Sequence, residues 1–554
     1  MNGFVILLVA LVLFIVAYAT YGAWLCKQWG VDPTRKTPAV EKSDGGDYVP
    51  TSTAVLLGHH FASIAGAGPI TGPINAAFFG WVPVFLWVVI GGIFFGGVQD
   101  FSALFASIRH DGKTIGEVIE HHIGHKCKMI FNIFVFLVLL LVVAAFSDIV
   151  AGTFASVPAA DTEIALANAR SAGSVATASM CFIPLAVLFG LLQRRNHNLI
   201  VNTVIGVALL CGSIVLGLAF PLMNLSKGFW LTITFVYIFI ASVAPVWILL
   251  QPRDYLNSFL LYAIILLSIV GIAAARPDMT LPAFTGFVVN GQPLFPVLFI
   301  TIACGAISGF HSLIASGTTS KQLDNEGHAK VIGYGGMLIE CALAIIALVA
   351  VGSARGQELA ASGSGPAAIF SNGIASFAAV IGLPEATTAT VIALAYSAFC
   401  LTSLDTATRL GRMIFQEMFE GTGIKVLENK YVATLITVVL SALLAGAGYQ
   451  KIWPLFGAAN QLVAVPAFLA CAVWFKHIGR NNKMFIAPMF FMLAATLSSL
   501  ALSFFNNVMK LMAGTGAFAK EGLQCIIIVP VVVLALIITV DGLKALKAKE
   551  PQKA

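Results

Sequence analysis

The run from Leu56 to Asn75, LLGHHFASIAGAGPITGPIN, restricts this chain more than any other stretch. It lies inside an apolar segment, Thr51 to about Gly80, that is long enough to cross a bilayer, yet Gly66, Gly68, Pro69, Gly72 and Pro73 cannot propagate an ordinary helix. Unpaired backbone N–H and C=O groups in lipid cost several kcal/mol each, so irregular backbone survives at membrane depth only inside protein or beside a wet cavity. A helix broken in this way predicts the binding site of a transporter.

A membrane setting follows from composition. Of 554 residues 59% are hydrophobic and 10% charged, with a mean hydropathy of +0.93, far from the range of soluble chains. The longest polar stretch, Lys27 to Pro50, is too short to bury a core of its own. The nine cysteines are scattered through apolar segments without a CxxC pair, and read as packing residues rather than a disulfide or zinc framework. Gly3 to Leu25 mimics a signal peptide through Ala17-Tyr18-Ala19, but it has no basic start and its apolar run continues, so a retained helix is expected.

At about 20 residues per span, fifteen helices are expected, near 3–25, 52–79 (broken), 81–108, 129–154, 176–193, 198–219, 228–250, 256–275, 292–318 (broken), 330–353, 386–408, 431–448, 453–475, 484–506 and 522–543. The piece 367–383 is read as a dip that does not cross. With the N-terminus outside, 24 of the 31 lysines and arginines, Arg253 among them, then fall on the cytoplasmic side, as the positive-inside rule requires. The expected protein is an all-α polytopic membrane protein with its N-terminus outside and its C-terminus cytoplasmic. Its net charge of +6 is a topology signal and no sign of nucleic-acid binding.

The span 228–250, interrupted around Ser242-Val243-Ala244-Pro245, runs opposite to 52–79 at a five-helix offset, which predicts an inverted 5+5 repeat. A proline kink in one of two helices an odd number apart gives the same pattern by chance. On the repeat reading, 1–50 is a first helix and linker, 51–420 the transporter core with halves 51–220 and 228–420, and 421–554 a set of C-terminal helices.

His59 and His60 precede the break by one turn and point about 100° apart, so one of them is expected to face the pathway; core imidazoles satisfied by backbone are the plain alternative. A second broken segment, Thr301 to Gln322, offers Ser308, His311, Ser312, Ser316, Thr318 and Thr319 at membrane depth beside small residues. Such hydroxyls also bond their own helix. Together with Gly66, Gly68, Thr71 and Gly72 these residues form the expected substrate site, in which amides of the first break hold a substrate carboxylate. Asp100, Asp148, Glu340 and Asp405 are intramembrane carboxylates, each costing about 2.5–3.5 kcal/mol if ionised at a helix centre, and are expected to couple an ion or proton. Asp405 also has Arg409 at i,i+4 for a simple ion pair.

Glu117, His121 and His125 follow at four-residue steps, a spacing that suits a transition metal and equally the solvated face of a connecting helix. No resident metal or cofactor is expected, only a coupling ion, H⁺ or Na⁺. Asp111-Gly112-Lys113-Thr114 resembles the end of a Walker A loop but lacks its first glycine and the preceding strand. With no HExxH, GxGD or GxSG sequence either, no enzymatic activity is expected.

Five blocks, DYVPTSTAVLLGHHFASIAGAGPITGP (Asp47 to Pro73), GGVQDFSALFASIRHDGKTIGE (Gly96 to Glu117), FITIACGAISGFHSLIASGTTSKQLDNE (Phe299 to Glu326), YGGMLIECALAIIAL (Tyr334 to Leu348) and FGAANQLVA (Phe456 to Ala464), resemble the carbon starvation protein A (CstA) family. The resemblance implies a bacterial inner-membrane protein that takes up peptides when carbon runs short, with close relatives importing pyruvate together with protons. It also implies kinship with the amino acid, polyamine and organocation transporters, and hence a LeuT-like core. The expected activity is secondary active uptake of di- or tripeptides. Proton-coupled pyruvate import and a non-transporting nutrient sensor are the alternatives; a sensor usually carries a soluble output domain, and four intramembrane carboxylates favour a substrate with an amino group to match.

Overall fold

The computed structural model describes residues 2–158, 163–195, 198–446 and 449–548. Helix α1 (Gly3–Trp29) ends at Gly30, whose φ of 69° is the left-handed conformation glycine adopts at little cost. The expected break then appears: α2 (Thr53–Ile64) stops at Ala65, and α3 (Gly68–Ala76) restarts with Pro69 in its first turn, where the missing N–H has no helical partner to lose. Helix α4 (Trp81–Arg109) carries one wide turn over Gly92–Gly96. The short α5 (Ile115–His122) precedes α6 (His125–Phe154), the hairpin of α7 (Glu163–Arg195) and α8 (Leu199–Ala219), then α9 (Lys227–Val243) and α10 (Leu250–Ala275).

A two-residue turn at Asn290 and Gly291, with φ of 50° and 73°, closes a small hairpin of Val288–Val289 with Gln292–Pro293. The second broken element follows as α11 (Leu294–Ile302) and α12 (Gly309–Gly317), and after it α13 (Glu326–Gly352), with a wide turn over Lys330–Gly335. Next come α14 (Pro366–Ala379), the 35-residue α15 (Glu385–Phe419), α16 (Lys430–Ala445), α17 (Tyr449–Leu462), α18 (Ala464–His477), α19 (Lys483–Met512) and α20 (Leu523–Lys547).

Among the described residues 12 segments are long and apolar enough to cross a membrane, and Thr53–Ile64, Lys227–Val243 and Lys430–Ala445 are shorter apolar helices. The chain is a multi-pass membrane protein. Helix α14 is 14 residues long, below the length a crossing needs, and packs on α10 and α15. The most apolar stretch of Leu455–His477 is 100% buried and that of Ile200–Ala219 only 28%, its exposed Ile200, Val204 and Val215 forming surface suited to lipid.

Contacts are exchanged reciprocally between two sets of helices. Helix α3 packs on α13 and α12 on α4, while α11 lies along α3. The wide turns of α4 and α13 are another matched pair. The two long helices α6 and α15 pack along each other, and α9 and α16 each touch both. Such reciprocity is what an inverted repeat produces, and it makes α11–α12 the counterpart of α2–α3. The 228–250 span does not hold that place: Pro245 follows the end of α9 at Val243, and a new helix begins at Leu250. Glycine permits the central contact. A Cβ at Gly72 would stand 2.3 Å from the Ile302 carbonyl oxygen, and one at Gly68 2.5 Å from Cys304 Cβ.

Candidate functional site

Both breaks bare polar backbone, and side chains of neighbouring helices meet it. At the second, Gln99 Nε2 on α4 donates to the Ser308 carbonyl (2.7 Å), Asn460 Oδ1 on α17 accepts from Phe310 N–H (2.8 Å), and Asn460 Nδ2 donates to Ser308 Oγ (3.0 Å). Ala303 has φ of 43°, a conformation a non-glycine residue holds only under constraint. At the first, Ser403 Oγ on α15 donates to the Ser63 carbonyl (2.9 Å), and Thr71 Oγ1 lies 3.2 Å from the Tyr396 hydroxyl.

Two buried charge clusters adjoin these breaks. In one, His311 Nδ1 on α12 donates to Asp100 Oδ2 on α4 (3.0 Å), and His311 Nε2 lies 3.4 Å from Glu340 Oε2 on α13, all three side chains being fully buried. Asp100 Oδ1, His311 Nε2 and both Glu340 oxygens make no hydrogen bond. His311 Nε2 and Glu340 Oε2 face each other as an ion pair, which leaves Asp100 Oδ1 and Glu340 Oε1 with no partner among the described residues; buried polar atoms are paired in the great majority of folded proteins, so such a spot marks a site built for something other than stability. In the other cluster Arg253 on α10 pairs with Asp254 (2.7 Å) and with Asp405 on α15. Tyr237 on α9 donates to Asp405 Oδ2 (2.7 Å), and His59 Nδ1 donates to Asp254 Oδ2 (2.9 Å). His60 faces α13, its ring beside Gly336, and bonds Thr319 Oγ1 at 2.8 Å. The Nε2 atoms of His59 and His60 are both unbonded.

Several residues take other partners than their spacing suggests. Asp405 does not pair with Arg409 at i,i+4; it turns inward to Arg253, and Arg409 reaches the Ala244 carbonyl (3.2 Å) and Asp47 (3.5 Å). Asp148 joins Lys227 (2.7 Å) at the end of α6, apart from both clusters. Ser312 and Ser316 donate to carbonyls of their own helix at 2.6 and 2.7 Å, and Ser316 Oγ accepts from Ile115 N–H (3.2 Å). Thr318 is buried, and a Cβ at Gly66 would meet Ser403 Oγ at 2.7 Å, so close packing already accounts for that glycine. Glu117 and His125 are drawn to different partners, Lys128 and Glu120, which leaves no three-ligand group with His121.

Arg253, Asp254, Tyr237, Gln99 and Asn460 were invisible as site residues. The topology count puts Arg253 in a cytoplasmic loop, whereas its side chain is 1% exposed. The usable signal was the adjacent pair Arg253-Asp254 right after Pro252: α10 starts three residues before the arginine and carries both charges inward.

At one end of the bundle three imidazoles form a chain. His110 Nδ1 donates to the Ala106 carbonyl (2.7 Å), its Nε2 lies 2.9 Å from His122 Nε2, and His122 Nδ1 lies 3.0 Å from His477 Nδ1, one nitrogen of each ring pair donating to the other. Burial first, then the imidazoles of His110, His477 and His121, hold the His122 pKa down to about 3 from the usual 6.5. The other groups around the chain are Trp474, whose ring abuts His110, and Asp111. Because the closed form binds fewer protons than the opened one, its stability is fully present above about pH 6.5 and is lost as pH falls towards 3. Hydrogen exchange, corrected for intrinsic rates, is therefore expected to speed up over residues 110–122 between pH 7.5 and 5.5, and His122→Gln should weaken that dependence, leaving the part due to His110, which burial also holds below its usual value.

The family model "Carbon starvation protein CstA" matches residues 2–360 and 351–499 of this chain. The peptide transporter CstA of Escherichia coli is 34% identical, over 90% of this chain and 80% of its own. The pyruvate/proton symporter BtsT of Escherichia coli is 41% identical over 61% of this chain and 47% of its own. Among solved structures, a mutant manganese transporter from Eremococcus coleocola superposes with a TM-score of 0.52 at 10% identity, covering 91% of this chain and 99% of that one. That likeness bears on the fold alone, a LeuT-like transporter core. On sequence, the chain belongs to the carbon starvation protein CstA family.

Proposed function

We propose that this chain is a secondary active importer of short peptides, driven by protons across the bacterial inner membrane and used when carbon is scarce. Its two halves are 53–275 and 294–477, with α7 and α8 an added hairpin and α1, α19 and α20 outside both. The N-terminus is periplasmic and the C-terminus cytoplasmic. The observation that carries this reading is the fully buried Asp100–His311–Glu340 group beside the second break, two carboxylates around one imidazole. With His311 charged and both carboxylates ionised, a dry site would hold one uncompensated negative charge, and one added proton makes it neutral. Rocking of one half against the other changes the side from which that proton arrives. The first turn of α3, opened by Gly68, leaves N–H groups without helical partners and suits a substrate carboxylate. A peptide also brings an amino group, for which a carboxylate of the Arg253 cluster, Asp254 or Asp405, is available.

The 41% identity to a pyruvate/proton symporter supports a second reading, pyruvate import with protons. In vesicles containing the purified protein, an inward proton gradient is expected to drive accumulation of a labelled dipeptide above that of labelled pyruvate. Pyruvate accumulation without dipeptide accumulation selects the second reading, and accumulation of neither overturns both.

A further inference from the structure

A cavity of about 370 Å³ opens beside the outer faces of both broken elements, within the roughly 300–1,000 Å³ range of small-ligand sites. Asn75 at the end of α3, Gln292 of the hairpin, Thr301 on α11 and Ser499, Ser503 and Asn506 on α19 all line it. None of these six side chains has a hydrogen-bond partner among the described residues. Their neighbours do: on the same helix, Thr496 Oγ1 donates to the Met492 carbonyl (2.6 Å) and Asn507 Nδ2 to Gln524 Oε1 (2.8 Å). The groups without a protein partner are thus those turned to the cavity, where a ligand can exchange for solvent. On α19 the lining residues Ser499, Leu502, Ser503 and Asn506 follow at i, i+3, i+4 and i+7, a single face of the helix. The Asn290-Gly291 turn aims Gln292 at the same space.

The chemistry of the lining selects its ligand. No described residue around the cavity is charged. Three carboxamides and three hydroxyls supply donors and acceptors together, and Phe78 and Trp453 add aromatic wall. A peptide group, with one N–H and one C=O, is matched by such a surface. A small 2-oxo acid offers acceptors only, and so engages just the donors of that lining.

We infer that this cavity is an outer binding site for the peptide backbone of the substrate, completed by α19, a helix outside the two repeat halves. The inference rests on the importer reading and deepens it, since it makes the cavity the element that favours peptides over pyruvate. Two variants leave both buried charge clusters untouched: Ser499→Ala/Ser503→Ala/Asn506→Leu strips the polar face of α19, and Ser503→Trp fills the space. In vesicles loaded with equal amounts of monodisperse protein, the triple variant is expected to raise the KM for labelled alanyl-alanine about tenfold, the cost of one or two lost hydrogen bonds, with little change in maximal rate. Ser503→Trp should raise it at least as much, while any pyruvate uptake keeps its wild-type KM in both. Dipeptide transport by the wild type with unchanged KM in both variants would overturn the cavity site alone. A wild-type protein that moves no dipeptide would overturn the importer reading with it.

Discussion

Replacing Arg253 with methionine is expected to destabilise the folded protein by about 3–5 kcal/mol, the usual loss when one partner of a buried ion pair is removed. The side chain is 1% exposed and is the cation between Asp254 and Asp405. Without it two carboxylates face each other in a dry site, with Tyr237 and His59 as their further partners among the described residues. The melting temperature in detergent should fall accordingly. Arg253→Met combined with Asp405→Leu should recover part of the loss, because the second change removes the stranded charge. An unchanged melting temperature in the single variant would mean that the pair is not formed in the folded protein.

His311→Gln is the second large change, and it should act on coupling rather than on folding. A pH difference of one unit supports about tenfold accumulation for each proton carried. The variant should bring a dipeptide only to equal concentrations on both sides, while exchange of internal for external dipeptide continues. Asp100→Asn and Glu340→Gln are expected to behave alike, since the three side chains share one site. Loss of exchange together with accumulation in all three would assign the group to substrate binding instead.

Much of this architecture could be read in advance because membrane helices leave a coarse signal. Length and apolarity locate the spans, and the glycines and prolines of 66–73 announce the first break. The second break was also visible, in the small residues before Gly309. Its role as the counterpart of the first was not, because the hairpin of α7 and α8 shifts the count. Site chemistry was legible where a charge is rare for its surroundings, as at Asp100 and Glu340. It was hidden where a charge looked ordinary: Arg253 reads as a loop cation, and only the start of α10 at Leu250 turns it inward. Partner choice was hidden throughout, since Asp405 has an arginine one turn away and bonds a different one 152 residues distant.

The central claim is that protons enter with the substrate through the buried Asp100–His311–Glu340 group. Vesicles holding the purified protein and an internal pH dye test it most directly, at matched starting pH on both sides. The account predicts that adding a dipeptide outside acidifies the interior, and that Glu340→Gln abolishes the acidification. Dipeptide entry with no change in internal pH, or acidification undiminished in Glu340→Gln, would contradict it.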